Sequence, residues 1–262
     1  MTRRSDAEWE KFGRTDPYYG VLSQDEFRRD NLTDSSLQQF FASGTAHIDF
    51  IFKTITSHLD PAFAPRRALD FGCGVGRCIV PLAARCQSVT GLDISDAMLA
   101  EATRNIRARK ITNVDLLKSD DHLGAAGEQF DLIHAVLVFQ HIHPRRGLAL
   151  FENLVTRLAD HGVGAIQLPY VRDVSLPLKT LGALRKHVPL VHNIVNVTME
   201  NKSFSEPLME KNCYPLGRVL AILQRHQCGS VHIELQGRGK LLSAIVFFRK
   251  NTAWIPYEPF ST

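Results

Sequence analysis

The sequence predicts an α/β fold, a mostly parallel sheet with helices on both faces that ends in an antiparallel pair of strands. Three observations predict it. From Arg67 onward, short apolar runs alternate with amphipathic stretches, the rhythm of repeated strand–helix–strand units. The first of those runs leads into a glycine-rich loop, Gly72-Cys73-Gly74-Val75-Gly76. The last two runs, residues 231–235 and 241–248, are joined only by Gln236-Gly237-Arg238-Gly239-Lys240. That loop is too short for a parallel crossover, so the final pair must be antiparallel.

The elements follow in order. The first 35 residues are polar and charged, with turn signals at Asp16-Pro17 and Gly20. Phe41, Ile48, Phe52, Ile55 and Leu59 then share one side at helical spacing, and Pro61 and Pro65 close that helix. Residues 68–71 form a buried strand, 78–84 a helix and 88–94 a second strand. Ser95 is placed to cap the next helix, along which Leu99, Ala102 and Ile106 keep three- and four-residue spacing. A third strand covers 114–118. A fourth covers 130–139, apolar almost throughout, as suits a strand buried on both faces. Leu148, Phe151, Val155 and Leu158 mark a helix, 162–168 a fifth strand and 216–226 another helix. With the terminal hairpin the sheet has seven strands.

Residues 171–212, with Pro177, Pro189 and Pro207, fit neither pattern and read as an insertion over the carboxyl edge of the sheet. The chain thus divides into an N-terminal arm and helix acting as a lid (1–65), a core (66–170), a cap insertion (171–212) and a return to the core sheet (213–262).

Composition narrows the function. At 262 residues, 44% hydrophobic and 22% charged, the chain can bury a core without crosslinks. A net charge of +4 argues against a dedicated nucleic-acid surface. The five cysteines stand at 73, 78, 86, 213 and 228 with no CxxC pair, so neither a disulfide framework nor a thiolate zinc site is expected, and no metal ligands are assigned. The amino terminus lacks the apolar stretch of a signal peptide, and no run reaches membrane-spanning length. The expected location is the cytoplasm.

The chemistry concentrates in Leu69-Asp70-Phe71-Gly72-Cys73-Gly74-Val75-Gly76-Arg77. Three glycines after a strand allow a tight turn and let a ligand lie on bare backbone, and in such sheets ligands bind at the carboxyl ends of the strands. Asp93 ends the next strand, where its carboxylate can accept from both hydroxyls of a ribose. Asp120 and Asp121 end the third, where one acidic group can accept from an adenine amine. Three acidic strand ends suit a neutral or cationic adenosine compound better than a polyphosphate, and no Walker lysine follows the glycines. Arg77 stands where GxGxxG has its third glycine, which weighs against dinucleotide binding.

At these residues the chain resembles the class I S-adenosylmethionine-dependent methyltransferase family, of the small-molecule type, whose fold is a Rossmann-like seven-stranded sheet. The likeness spans roughly residues 66–170 and the final strand pair. It implies S-adenosyl-L-methionine as cofactor, with Asp70 and the loop residues Gly72, Cys73, Gly74 and Gly76 around its methionine part. It further implies Asp93 on the ribose, Ile94 against the adenine, Asp120 with Asp121 at the adenine amine, and Val136 and Leu137 lining the methyl-donor side.

On the acceptor side, His141 and His143 follow the fourth strand and are the candidate proton acceptors. Tyr18 and Tyr19 are candidate lid residues over the sulfonium. The strand continues as Ala135-Val136-Leu137-Val138, without the Asn/Asp-Pro-Pro-aromatic motif of amino-methylating enzymes on DNA, and the paired-glutamate loop of protein arginine methyltransferases is missing. O- or N-methylation of a small molecule is the expected activity. The alternatives are a catalytically silent cofactor-binding regulator and, less well matched, a nicotinamide-dependent oxidoreductase. Acceptor and oligomeric state are not written in the sequence.

Overall fold

A computed structural model of the chain describes residues 4–127, 129–173, 184–185, 188–199, 203–204, 206–237 and 240–254. At its centre β1 (Arg67–Phe71), β2 (Ser88–Asp93), β3 (Val114–Lys118), β4 (Phe130–Ala135), β5 (Leu158–Arg172), β6 (Ser230–Gln236) and β7 (Leu241–Arg249) form a seven-stranded sheet in the order β3-β2-β1-β4-β5-β7-β6. The strands β1 to β5 are mutually parallel, and β7 runs antiparallel between β5 and β6. The order reverses between β1 and β4, the crevice where sheets of this kind take their ligands.

The helices are α1 (Arg4–Thr15), α2 (Pro17–Val21), α3 (Asp34–His58), α4 (Ile79–Ala83), α5 (Asp96–Ala108), α6 (Pro144–Thr156), α7 (Pro189–Met199) and α8 (Leu216–Arg225). Thr33 and Ser36 form a reciprocal capping box at the start of α3, and Ser95 caps α5 by accepting from Met98 N–H. One core cluster joins Leu69, Phe71 and Phe139 to Phe151 and Phe248. A second, on the opposite face, joins Ile48, Ile51 and Ile55 of α3 to Ala68, Leu132 and Phe247. None of the helices is long and apolar enough to cross a membrane, among the described residues.

Three boundaries differ from expectation, the first being the start of the fifth strand at Leu158, a residue expected on the preceding helix. The fourth strand stops at Ala135 rather than 139, because Leu137 turns to φ +62 and Phe139–His141 tightens into a 3-10 turn. Apolar composition continues through both conformations, so periodicity could not register the turn. The fifth strand extends to Arg172, held there by pairing with Leu241. Much of the 171–212 segment lies outside the described residues. Its far end is a strap across the fourth strand's exit: Asn212 N–H donates to the Gln140 carbonyl (2.7 Å) and Tyr214 N–H to that of Pro169 (2.7 Å).

Candidate active site

At the carboxyl ends of β1, β2, β3 and β4 lies a cleft of about 800 Å³, the open solvent at its mouth included. The glycine loop forms its floor. Gly72 has φ +72, and a Cβ on it would run into Val138, so only glycine lets the β1 and β4 ends approach this closely. From behind, α3 packs on the loop through Gly44, where a Cβ would strike the Arg77 carbonyl.

Asp93 reaches into the cleft from the end of β2. Its Oδ2 accepts from Gly74 N–H and its Oδ1 from Ser95 N–H, each at 2.9 Å. Burial pushes its carboxyl up to about 6; the loop N–H groups oppose the shift and the nearby Asp70 charge adds to it. A carboxylate so placed accepts strongly from hydroxyls brought within reach. Ile94, Leu92 and Met98 give the wall beside it an apolar face, while Ser119 and Asp120 close the far end. Asp120 is also an anchor: its Oδ1 accepts from His122 N–H (2.8 Å) and Gly124 N–H (3.2 Å), and these bonds, Gly124's foremost, hold its carboxyl below the usual range. Val136 and Leu137 line the side nearest β4.

Several expected residues stand elsewhere. Asp70 is buried behind the loop, where its Oδ1 accepts from Nδ1 of His134 on β4 (2.7 Å). His134 Nε2 in turn meets Nε2 of His47 on α3 at 3.0 Å. Burial, and then the charges of His134 and Arg77, push His47 down to about 3. The result is a buried chain from α3 through β4 to the end of β1, fixing the loop from beneath. Cys73 turns its side chain into the core against Gly91, and Gly76 faces Ala102 and Ile79 rather than the cleft. Asp121 accepts from Arg146 Nε at 2.6 Å, outside the cleft lining.

Tyr18 and Tyr19 do not roof the cleft. Tyr18 is buried with its hydroxyl donating to Glu101 (2.7 Å) or Asn105 (3.0 Å) on α5, and Arg28 stacks over Tyr19 at 3.8 Å. The helical turn that follows Pro17 sinks both rings beneath the arm. The roof is instead α1, which contributes Ser5, Asp6 and Trp9, with Gly20 and Val21 beside it. Among the bonds that pin it, Arg146 donates to Asp6 (2.7 Å), and Glu10 accepts from Ser95 Oγ (2.8 Å) and Ala97 N–H (3.2 Å) at the start of α5. The spacing of Asp6, Trp9 and Glu10 was a readable signal of an amphipathic first helix, obscured by the polar composition around it.

His141 and His143 part company. His143 is exposed and caps α6, accepting from Arg145 N–H. His141 lines the cleft with its ring edge-on to Trp9, centroids 4.8 Å apart. Its Nδ1 donates to the Glu210 carbonyl (2.8 Å), leaving Nε2 to accept from Gln140 (3.0 Å). Burial pushes His141 down to about 4, so it stands neutral near pH 7.

Comparison with known proteins agrees with this geometry. Residues 68–162 match the family described as methyltransferase domain. A trans-aconitate 2-methyltransferase of Rhizobium etli is 35% identical over 106 residues, 40% of this chain and 39% of the relative. A 23S rRNA (uracil(1939)-C(5))-methyltransferase of Aeromonas hydrophila is 33% identical over 112 residues, 37% of this chain and 26% of the relative. The chain therefore spans well under half the length of either. The magnesium protoporphyrin IX methyltransferase of Synechocystis PCC 6803, solved with bound S-adenosylmethionine, superposes with TM-score 0.56 over 96% of this chain and 99% of its own, at 15% identity. Matched segment and strand order agree: residues 68–162 carry the methyltransferase-domain match, and the chain shares the fold of the cofactor-bound methyltransferase on which it superposes.

Proposed function

We propose that the chain is an active methyltransferase, moving the methyl group of S-adenosylmethionine to an oxygen or nitrogen of a small molecule. The observation that carries this reading is Asp93 set beside the bare backbone of Gly72 and Gly74 in a roofed cleft. In this reading Asp93 holds the ribose hydroxyls, Ile94 packs on the adenine, Ser119 and Asp120 meet its amine, and Gly72 and Gly74 bed the methionine part. Asp70 acts from behind the loop, fixed by His134.

When bound, the donor supplies a methyl group on a positively charged sulfur, reactive enough that the protein's main tasks are alignment and exclusion of water. Trp9, Val21 and Met98 exclude water on one side, Val136 and Val138 on the other. A proton leaving the acceptor goes to His141 Nε2, which must first exchange its bond with Gln140. His143, capping α6 in solvent, takes no part. The trans-aconitate enzyme, named for a small carboxylic acid, supports a small acceptor, as does a cleft that α1 covers. Five free thiols suit a reducing compartment such as the cytoplasm.

The test is calorimetric titration with S-adenosylmethionine, its demethylated product and NAD, followed by mass spectrometry of reactions with carboxylate, phenol and amine panels and with ribosomal RNA. Binding of the two sulfur compounds and transfer to a small molecule is the expected result. Binding of NAD alone, or transfer only to RNA, overturns the proposal; donor binding without any transfer assigns the chain to regulation instead.

A further inference from the structure

Far from the cleft, the sheet edge carries a second grouping of chemistry-bearing side chains. On β6, His232 and Glu234 are two residues apart and so project from the same face, with His232 Nε2 at 2.8 Å from Glu234 Oε1. Across that face runs α3. Its Phe50 packs on Phe247 of β7, and in its last turn His58 stacks on His232, centroids 3.9 Å apart and planes within 6°. The donor atoms of His58, His232 and Glu234 all lie within 4.8 Å of one another. Among the described residues no other group of His, Cys, Asp or Glu is arranged in this way.

We propose that His58, His232 and Glu234 bind one divalent ion of the zinc class, which clips the end of α3 to the edge strand β6. Two imidazoles and a carboxylate are a donor set that zinc favours, with the fourth position left to water. Bonds of about 2.0–2.2 Å require donor atoms roughly 3.3–3.6 Å apart, so His232 and Glu234, at 2.8 Å, must part slightly while the widest spacing in the group, at most 4.8 Å, closes. None is fully buried, which leaves them room to swing. The thiols offer little competition: Cys73, Cys78, Cys86 and Cys228 are buried, and burial pushes each up, away from the thiolate that binds metal.

The placement gives the clip a purpose. β6 is an edge strand whose other face exposes Val231, Ile233 and Leu235, the last at 70%, and an apolar edge invites pairing with other chains. Its partner, α3, is the helix whose His47 and Gly44 support the glycine loop.

Metal-free protein is titrated with zinc alone by calorimetry near pH 7.5, alongside His58→Ala, His232→Ala and Glu234→Gln, with thermal melts of each. The expected result is one ion per wild-type chain and a zinc-dependent rise in Tm. Either histidine variant should lose affinity by more than the roughly 10–100-fold that an outer partner alone costs, and lose the rise with it. His58 is exposed, so its variant folds and should bind the demethylated cofactor product as the wild type does. Wild-type protein that takes up no zinc overturns the proposal, as does zinc binding that survives in both histidine variants.

Discussion

The two walls of the cleft are built in opposite ways. On the wall that carries the glycine loop, the bonds that shape the cleft face are local: Gly74 and Ser95 donate to an Asp93 only 19 and 2 residues away in the chain, although His134 and His47 brace the loop from beneath. The opposite wall is gathered from afar. Arg146 reaches Asp6 across 140 residues, Leu208 N–H reaches Glu8 across 200, and His141 is held by a carbonyl 69 residues on. A local wall has its geometry fixed by turn chemistry and strand ends. An assembled wall depends on how separate elements dock, so it can change its contents without disturbing the donor's bed. The first wall suits a ligand common to a family, the second a ligand particular to one member.

The largest expected effect is on the local wall. Gly72→Val places a branched side chain at φ +72 and into Val138. Left-handed backbone costs about 1–2 kcal/mol for such a residue and overpacking about 1–3 kcal/mol. The melt should fall by several degrees, and calorimetry should detect no binding of S-adenosylhomocysteine. A variant that binds with wild-type affinity would detach the loop from the donor.

Asp93→Asn sharpens the comparison through pH. In the free protein Asp93 titrates near 6 instead of 3.8 because it is buried. The form that accepts from ribose hydroxyls is the carboxylate, so donor affinity should be full above pH 6 and fall below it, approaching tenfold per unit. Folding runs the other way. A carboxyl with a raised folded-state value favours the fold most at low pH, and that contribution is lost as pH rises through about 6. Asparagine should flatten the binding profile and weaken it at pH 8 by about 1.5–3 kcal/mol, the worth of a hydrogen bond to a charged group. Kd values from pH 5 to 8 decide the matter: an asparagine variant that keeps the slope assigns the titration to another group.

This division also explains what could be read without coordinates. The succession of strands and the terminal hairpin were legible because apolar runs and a five-residue loop constrain them directly. Asp93 and Gly72 were legible because their positions at strand ends define what they can do. His47 and Arg146 were not, since each acquires meaning only from a partner that the fold brings from elsewhere. His134 is intermediate. A polar residue inside the apolar run Leu132-Ile133-His134-Ala135 announces that some partner must exist, without saying that it is Asp70. The tyrosines misled because aromatic residues ahead of a core serve equally well as roof or as foundation.

Roof and foundation can be separated by a pair of variants. Trp9 lines the cleft and meets His141 edge-on. Trp9→Ala should weaken donor or acceptor binding by about 1–2 kcal/mol, roughly tenfold, through lost apolar contact, with little change in the melt. Tyr18→Phe should do the reverse, with the smallest effect of the set. Its hydroxyl bonds to Glu101 and Asn105 on the flank of α5, so removing it should cost about 1 kcal/mol of stability and leave donor affinity within about twofold. Melts and calorimetry on both proteins give four numbers. If Tyr18→Phe weakens donor binding as much as Trp9→Ala does, then α2 is coupled to α1 strongly enough to behave as roof. The boundary between the two walls would then lie beneath α2, and the arm from α1 to Val21 would close on the cleft as one piece.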